Sequence, residues 1–139
     1  MRYAVVLLLA LSGCGDTVAT APVAIKFSNS NAMPGVGIGY NAPDGVATMT
    51  VDGVMLDSKA GGAELLVLLD APTTGQVNIG EHHLDIEYSV GAAGWASNSG
   101  SVTFTSLAPY DVTFNNVEMI GATAAGTGAF FLNGSAVFK

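Results

Sequence analysis

His82 and His83 are the only histidines in the 139-residue sequence, and Cys14 is its only cysteine. Histidine alone has an ordinary pKa near neutrality, so Ser-His-Asp chemistry has to run through one of these two rings. They stand in Glu81-His82-His83-Leu84-Asp85-Ile86-Glu87-Tyr88. Drawn as a strand, this segment puts Leu84, Ile86 and Tyr88 on one face and His83, Asp85 and Glu87 on the other, with same-face neighbours about 6.6 to 6.8 Å apart. Side chains at i and i+2 can converge on one ion, which makes His83 and Asp85 candidate metal ligands. Zinc, however, asks for three or four donors, and the second histidine points to the core side or lies in the turn. The plainer expectation is a solvated strand face with His82 at the core margin, and neither a metal nor another cofactor.

Other catalytic patterns fail on spacing. No serine sits in a Gly-x-Ser-x-Gly elbow. Gly35-Val36-Gly37-Ile38-Gly39 resembles part of a nucleotide-binding loop, but Tyr40 stands where the next glycine belongs and no βαβ pattern follows. Asp85 and Glu87 are adjacent acids, whereas glycosidase chemistry needs two carboxylates across a cleft. The sequence therefore predicts no catalytic residue. A metal-dependent or hydrolytic enzyme built on His82-His83 stands as the alternative.

Trp95 is the second feature. It is the sole tryptophan and lies in Gly91-Ala92-Ala93-Gly94-Trp95-Ala96-Ser97-Asn98-Ser99-Gly100, which reads as a loop of small residues between two firm strands. Presented on such a loop, the indole would stack on a sugar or a partner protein, with Asn98 among the hydrogen-bonding groups beside it. Trp95 and Asn98 are accordingly the candidate ligand-binding residues. Against this stands a structural role, in which the indole folds back to plug the open end of the domain.

Charge narrows the partners. Four basic residues against eleven acidic ones give a formal charge of −7, and the basic residues form no cluster, which excludes a phosphate backbone as partner. The same sign disfavours electrostatic docking onto anionic lipid.

The N-terminal residues carry the most specific signal. Arg2 supplies a positive start, Tyr3 to Leu11 an apolar run too short to span a membrane, and Leu11-Ser12-Gly13-Cys14 two small residues before a cysteine. This stretch resembles a bacterial lipoprotein signal peptide with all four positions of its lipobox. The resemblance implies a signal peptide over residues 1–13, cleavage before Cys14, diacylglyceryl attachment to the Cys14 thiol and a lipidated tether over 14–22. It also implies a protein held to the membrane of the cell envelope through its N-terminal lipid. Gly15 rather than Asp follows the cysteine, which favours the outer over the inner membrane. An ordinary secretory cut after Ala21 would instead leave Pro22 directly behind the scissile bond, where processing is poor. With Cys14 lipidated, the exported body has no disulfide and rests on its core alone.

The elements that must position these residues follow from period-two alternation beginning at Val23. Candidate strands are Val23–Phe27, Gly35–Tyr40, Val46–Val51, Val54–Ser58, Ala63–Asp70, Gln76–Ile79, Leu84–Val90, Ser101–Leu107, Asp111–Phe114, Val117–Ile120, Gly128–Leu132 and Ser135–Phe138. Asp52-Gly53 and Asn133-Gly134 read as two-residue hairpin turns. Leu65 to Leu69 is apolar on both alternating faces, and its flanking Gly61-Gly62 and Ala71-Pro72 favour a buried strand over a helix. The fold expected is all-β, a single antiparallel β-sandwich or flattened barrel over residues 23–139. An envelope protein or a glycan is the partner this domain would bind.

Overall fold

The computed structural model describes residues 23–28 and 37–139; the lipobox, the 14–22 tether and the first residues of the Gly35–Tyr40 strand lie outside them. Among the described residues ten strands form: β1 Val23–Ser28, β2 Gly39–Ala42, β3 Val46–Met49, β4 Val54–Ala60, β5 Ala63–Leu69, β6 Gly75–Asn78, β7 Asp85–Val90, β8 Ala93–Leu107, β9 Tyr110–Gly121 and β10 Ala129–Phe138. Every pairing is antiparallel. The order across the sheet is β2-β1-β10-β9-β8-β7-β5-β4-β3, with β6 set against the second half of β8. The all-β expectation holds, in the form of one sheet curled into a half-barrel.

Its two edges are successive stretches of the same chain, separated only by Pro43-Asp44-Gly45. Lys139 ties the β3 edge to the end of β10 by donating its N–H to the Gly45 carbonyl (2.9 Å) and accepting from the Ala47 N–H (2.9 Å). Alternation supplies the interior. Val54 and Leu56 of β4, Leu65, Val67 and Leu69 of β5 and Ile86 and Tyr88 of β7 are all buried, while their sequence neighbours face out. Leu65 to Leu69 is thus a strand whose alternate leucines, Leu66 and Leu68, are half-buried on the outer side.

The long strands β8, β9 and β10 bend at one level. Gly100 (φ +101°), Asn116 (φ 51°) and Gly134 (φ +136°) sit there at shifts in pairing register. A Cβ on Gly100 would lie 2.5 Å from the Asn116 carbonyl oxygen, and one on Gly134 2.2 Å from that of Ala24, so neither position admits a side chain. The bulge in β9 is held by the Asn116 N–H donating to Asn133 Oδ1 at 2.9 Å. Because an extra residue reverses the alternation, β8 turns inward at Trp95 and then at Val102 and Phe104, and β9 at Val112 and Phe114 and then at Val117 and Met119.

These bends correct the sequence reading of the C-terminal third. Asn133-Gly134 is not a hairpin turn: it lies inside the continuous β10, opposite the bulge in β9. The four short strands expected over 111–120 and 128–138 are the two long strands β9 and β10. Asp52-Gly53 does lie at a chain reversal, as half of a four-residue loop in which the Thr50 N–H donates to the Gly53 carbonyl at 2.9 Å.

Candidate functional site

The sequence places His83, Asp85 and Glu87 on one strand face, and the structure separates them. β7 begins only at Asp85; Glu81–His83 is a short 3₁₀ turn, with φ of 51° at His82 and 53° at His83. Gly80 donates to the Leu84 carbonyl (2.9 Å) and Leu84 to that of Glu81 (2.8 Å), which closes the turn. The Glu81 carboxylate accepts from the Asn78 backbone N–H at 2.8 Å and from its amide Nδ2 at 3.2 Å. Those bonds, the backbone one foremost, hold the Glu81 carboxyl below its ordinary pKa.

The exposed His83 Nδ1 meets Asp70 Oδ2 at 2.5 Å. Asp85 instead accepts from Ser97 Oγ (2.8 Å), which in turn accepts from the Ile86 N–H (2.9 Å). The proposed ligand pair is therefore divided between two hydrogen-bond networks. Among the described residues no three His, Cys, Asp or Glu side chains come close enough together to hold a metal ion.

Trp95 is also displaced from its expected setting. The loop of small residues shrinks to a tight turn at Gly91-Ala92, and Trp95 is a strand residue of β8, paired with Tyr88 of β7 and Gly121 of β9. It is 3% exposed, and its Nε1–H donates to the Thr127 carbonyl at 3.2 Å. Its ring meets Phe130 edge-on at 5.6 Å and Tyr88 at 6.1 Å between centroids. The indole is thus packed within the domain, as in the plug reading, and is carried on a strand and not on a loop. Asn98 lies exposed on the barrel exterior, where its amide donates to Glu118 Oε2 (2.7 Å) beside Ser99 Oγ (3.1 Å). The two candidate residues thus face opposite sides of the wall.

At Trp95 the wall carries a depression of about 340 Å³, lined by Trp95 and Tyr88 together with Glu64, Glu87, Ser89 and Thr123. Thr123 fixes its rim, since its Oγ1 accepts from the Gly94 N–H (2.9 Å) and donates to the Ala92 carbonyl (3.1 Å). Glu64 is paired with Lys59 (3.1 Å), which also meets Asp57 (3.2 Å); both carboxylates raise the pKa of the Lys59 ammonium through hydrogen bonds, Glu64 more than Asp57.

Inside the barrel, Trp95 belongs to an aromatic cluster with Phe27, Tyr40, Tyr88 and Phe130. The Tyr40 hydroxyl shares a 2.9 Å hydrogen bond with Ser58 Oγ. Burial raises the Tyr40 pKa against the effect of that bond, with the Asp57 and Glu64 carboxylates adding to the rise. Tyr88 is pushed up to about 12, chiefly by burial and then by Tyr40 beside it. The alternation of Leu84, Ile86 and Tyr88 already sets Tyr88 inward, but its meeting with Tyr40, 48 residues away in sequence, leaves no local trace.

Comparisons with protein-family models, with curated proteins and with solved structures find no match. No described helix is long and apolar enough to cross a membrane.

Proposed function

We propose that the chain is a lipid-anchored protein of the bacterial cell envelope, whose β-domain works by binding or scaffolding rather than by catalysis. The observation that carries this reading is Leu11-Ser12-Gly13-Cys14 behind an Arg2-led apolar run. By their composition Gly15 to Pro22 serve as a tether, whose full extension is roughly 25 to 30 Å. A domain so held works close to the membrane surface, on the outer membrane in preference to the inner. Two or three acyl chains at about 0.8 kcal/mol per buried CH₂ suffice for stable anchoring. An envelope protein or a glycan is the partner class, and the 340 Å³ depression with Glu87, Ser89 and Thr123 is a surface on which it can be met. The commitment of His83 to Asp70 and of Asp85 to Ser97 supports binding over an enzyme built on His82-His83.

Metabolic labelling with palmitate, followed by mass spectrometry of the mature N-terminus, tests the anchor. Acyl chains on Cys14 are expected, with loss of label and an uncut leader in Cys14→Ser. A mature protein starting at Pro22 without acyl chains would overturn the reading.

A further inference from the structure

Among the described residues, the exposed large apolar side chains Val46, Met49 and Val51 fall within positions 46–51, on β3 and in the turn after it. Met49 is 71% exposed and Val51 fully so. Beside them lies the β8–β9 turn, Leu107-Ala108-Pro109-Tyr110, which carries no charge and exposes Ala108 and Pro109. The Tyr110 hydroxyl donates to Met49 Sδ at 3.9 Å, so the two turns adjoin. Apolar residues scattered singly over a surface need no explanation, whereas a contiguous group marks a contact surface.

Strand pairing puts this surface at the end of the domain where β1 begins. Val23 stands opposite Ala42 of β2 and Ala136 of β10. β10 runs on past that level to Phe138, and Lys139 after it is bonded to Gly45 and Ala47 on either side of Val46, the pattern of parallel neighbours. β3 therefore continues in the direction of β10, and Met49 and Val51 project beyond it. Tyr110, opposite Phe138, belongs to the same end. A tether joining Val23 to Cys14 keeps that end within roughly 25 to 30 Å of the lipid.

We infer that these two turns rest on the membrane that holds the lipid, with Met49 and Val51 entering the boundary between headgroups and acyl chains and Tyr110 at headgroup level. The inference rests on the lipid-anchor reading and adds to it the face that the domain turns toward the bilayer. Tyrosine suits that depth because its ring is apolar and its hydroxyl polar. Two apolar side chains alone hold a protein only weakly, but the anchor makes their contact intramolecular and raises their effective concentration. Asp52, exposed beside Val51, sets the headgroup, because it repels anionic lipid and finds a donor in the ammonium of phosphatidylethanolamine.

The test uses the lipidated full chain in vesicles of phosphatidylcholine and phosphatidylethanolamine, part of the phosphatidylcholine carrying a nitroxide on its acyl chain. With Cys14 alkylated, a cysteine introduced by Val51→Cys or Ala92→Cys is the sole free thiol and takes a nitrobenzoxadiazole label. Ala92, exposed in the β7–β8 turn at the opposite end, is the control. Vesicle flotation reports the anchor separately. The label on Val51→Cys should be quenched by the nitroxide at least threefold more than that on Ala92→Cys, and its emission should shift to the blue. Adding Met49→Asp should remove most of the difference while flotation and the circular dichroism spectrum stay unchanged. Flotation with equal quenching at both positions would overturn the inference and leave the anchor standing, whereas failure to float would overturn both. A blue shift at position 51 that needs no vesicles and grows with protein concentration would assign the surface to a second copy of the chain, and it too would overturn the inference.

Discussion

The aromatic cluster around Trp95 and the turn that carries His82 and His83 use their side chains in opposite ways. Trp95 is 3% exposed, touches rings from β7 and β10 and donates its one polar hydrogen to a carbonyl of the β9–β10 loop. The His83 side chain is 86% exposed and has a single partner, an aspartate that is itself 41% exposed. Burying an aromatic side chain removes some 150 to 250 Å² from water, whereas an exposed ion pair nets about 0 to 1 kcal/mol. The two regions therefore differ in what they hold together. The cluster ties β1, β2, β7, β8 and β10 into one interior, and the histidine turn closes a connection between β6 and β7. Chemical type alone ranks them the other way, with histidine as the active residue and tryptophan as the presented one.

The sharpest test of this contrast is Trp95→Ala. Loss of the ring should cost about 3 to 5 kcal/mol in denaturant unfolding. The intact protein should show blue-shifted indole emission that resists quenchers, and water-like emission would break the contrast outright.

Alkaline pH probes the same cluster through Tyr88. Its folded pKa is about 12, while a phenol in the unfolded chain ionises near about 10. The raised value means that below the unfolded pKa the contribution to stability is fully present. Above it the unfolded chain releases the proton first, and stability falls as pH rises toward 12, by about 2 to 3 kcal/mol in all. Chemical denaturation between pH 9 and 12 should show this decline, and Tyr88→Phe should flatten most of it, leaving the smaller part that belongs to Tyr40.

The smallest effect is expected at the turn. His83→Ala or Asp70→Asn should change stability at neutral pH by less than about 1 kcal/mol and leave the β-type circular dichroism spectrum unaltered. A loss as large as that of Trp95→Ala would show the turn to be as integral as the cluster and erase the distinction.

Most strands were legible from alternation because a sheet with one buried face needs period two, as Val54–Ala60 and Asp85–Val90 illustrate. The reading failed where register was broken deliberately. Asn133-Gly134 has the composition of a hairpin turn, yet Gly134 is used for a close approach to Ala24 in β1, a contact no local window contains. The Gly91–Gly100 segment reads as a loop because its small residues carry little strand propensity, but pairing with β7 and β9 supplies the ladder that propensity does not.

The sequence by itself determined the all-β class, the inward set of alternating residues and the acidic net charge. Each is local or a sum over the chain, and needs no knowledge of which strand lies beside which. Tertiary structure alone decided that Trp95 faces in, that His83 meets Asp70 while Asp85 meets Ser97, and that Tyr40 and Tyr88 converge in one buried aromatic cluster. Those outcomes depend on strand order and on the irregularities near Gly100 and Asn116, beyond which β8 and β9 reverse their facing.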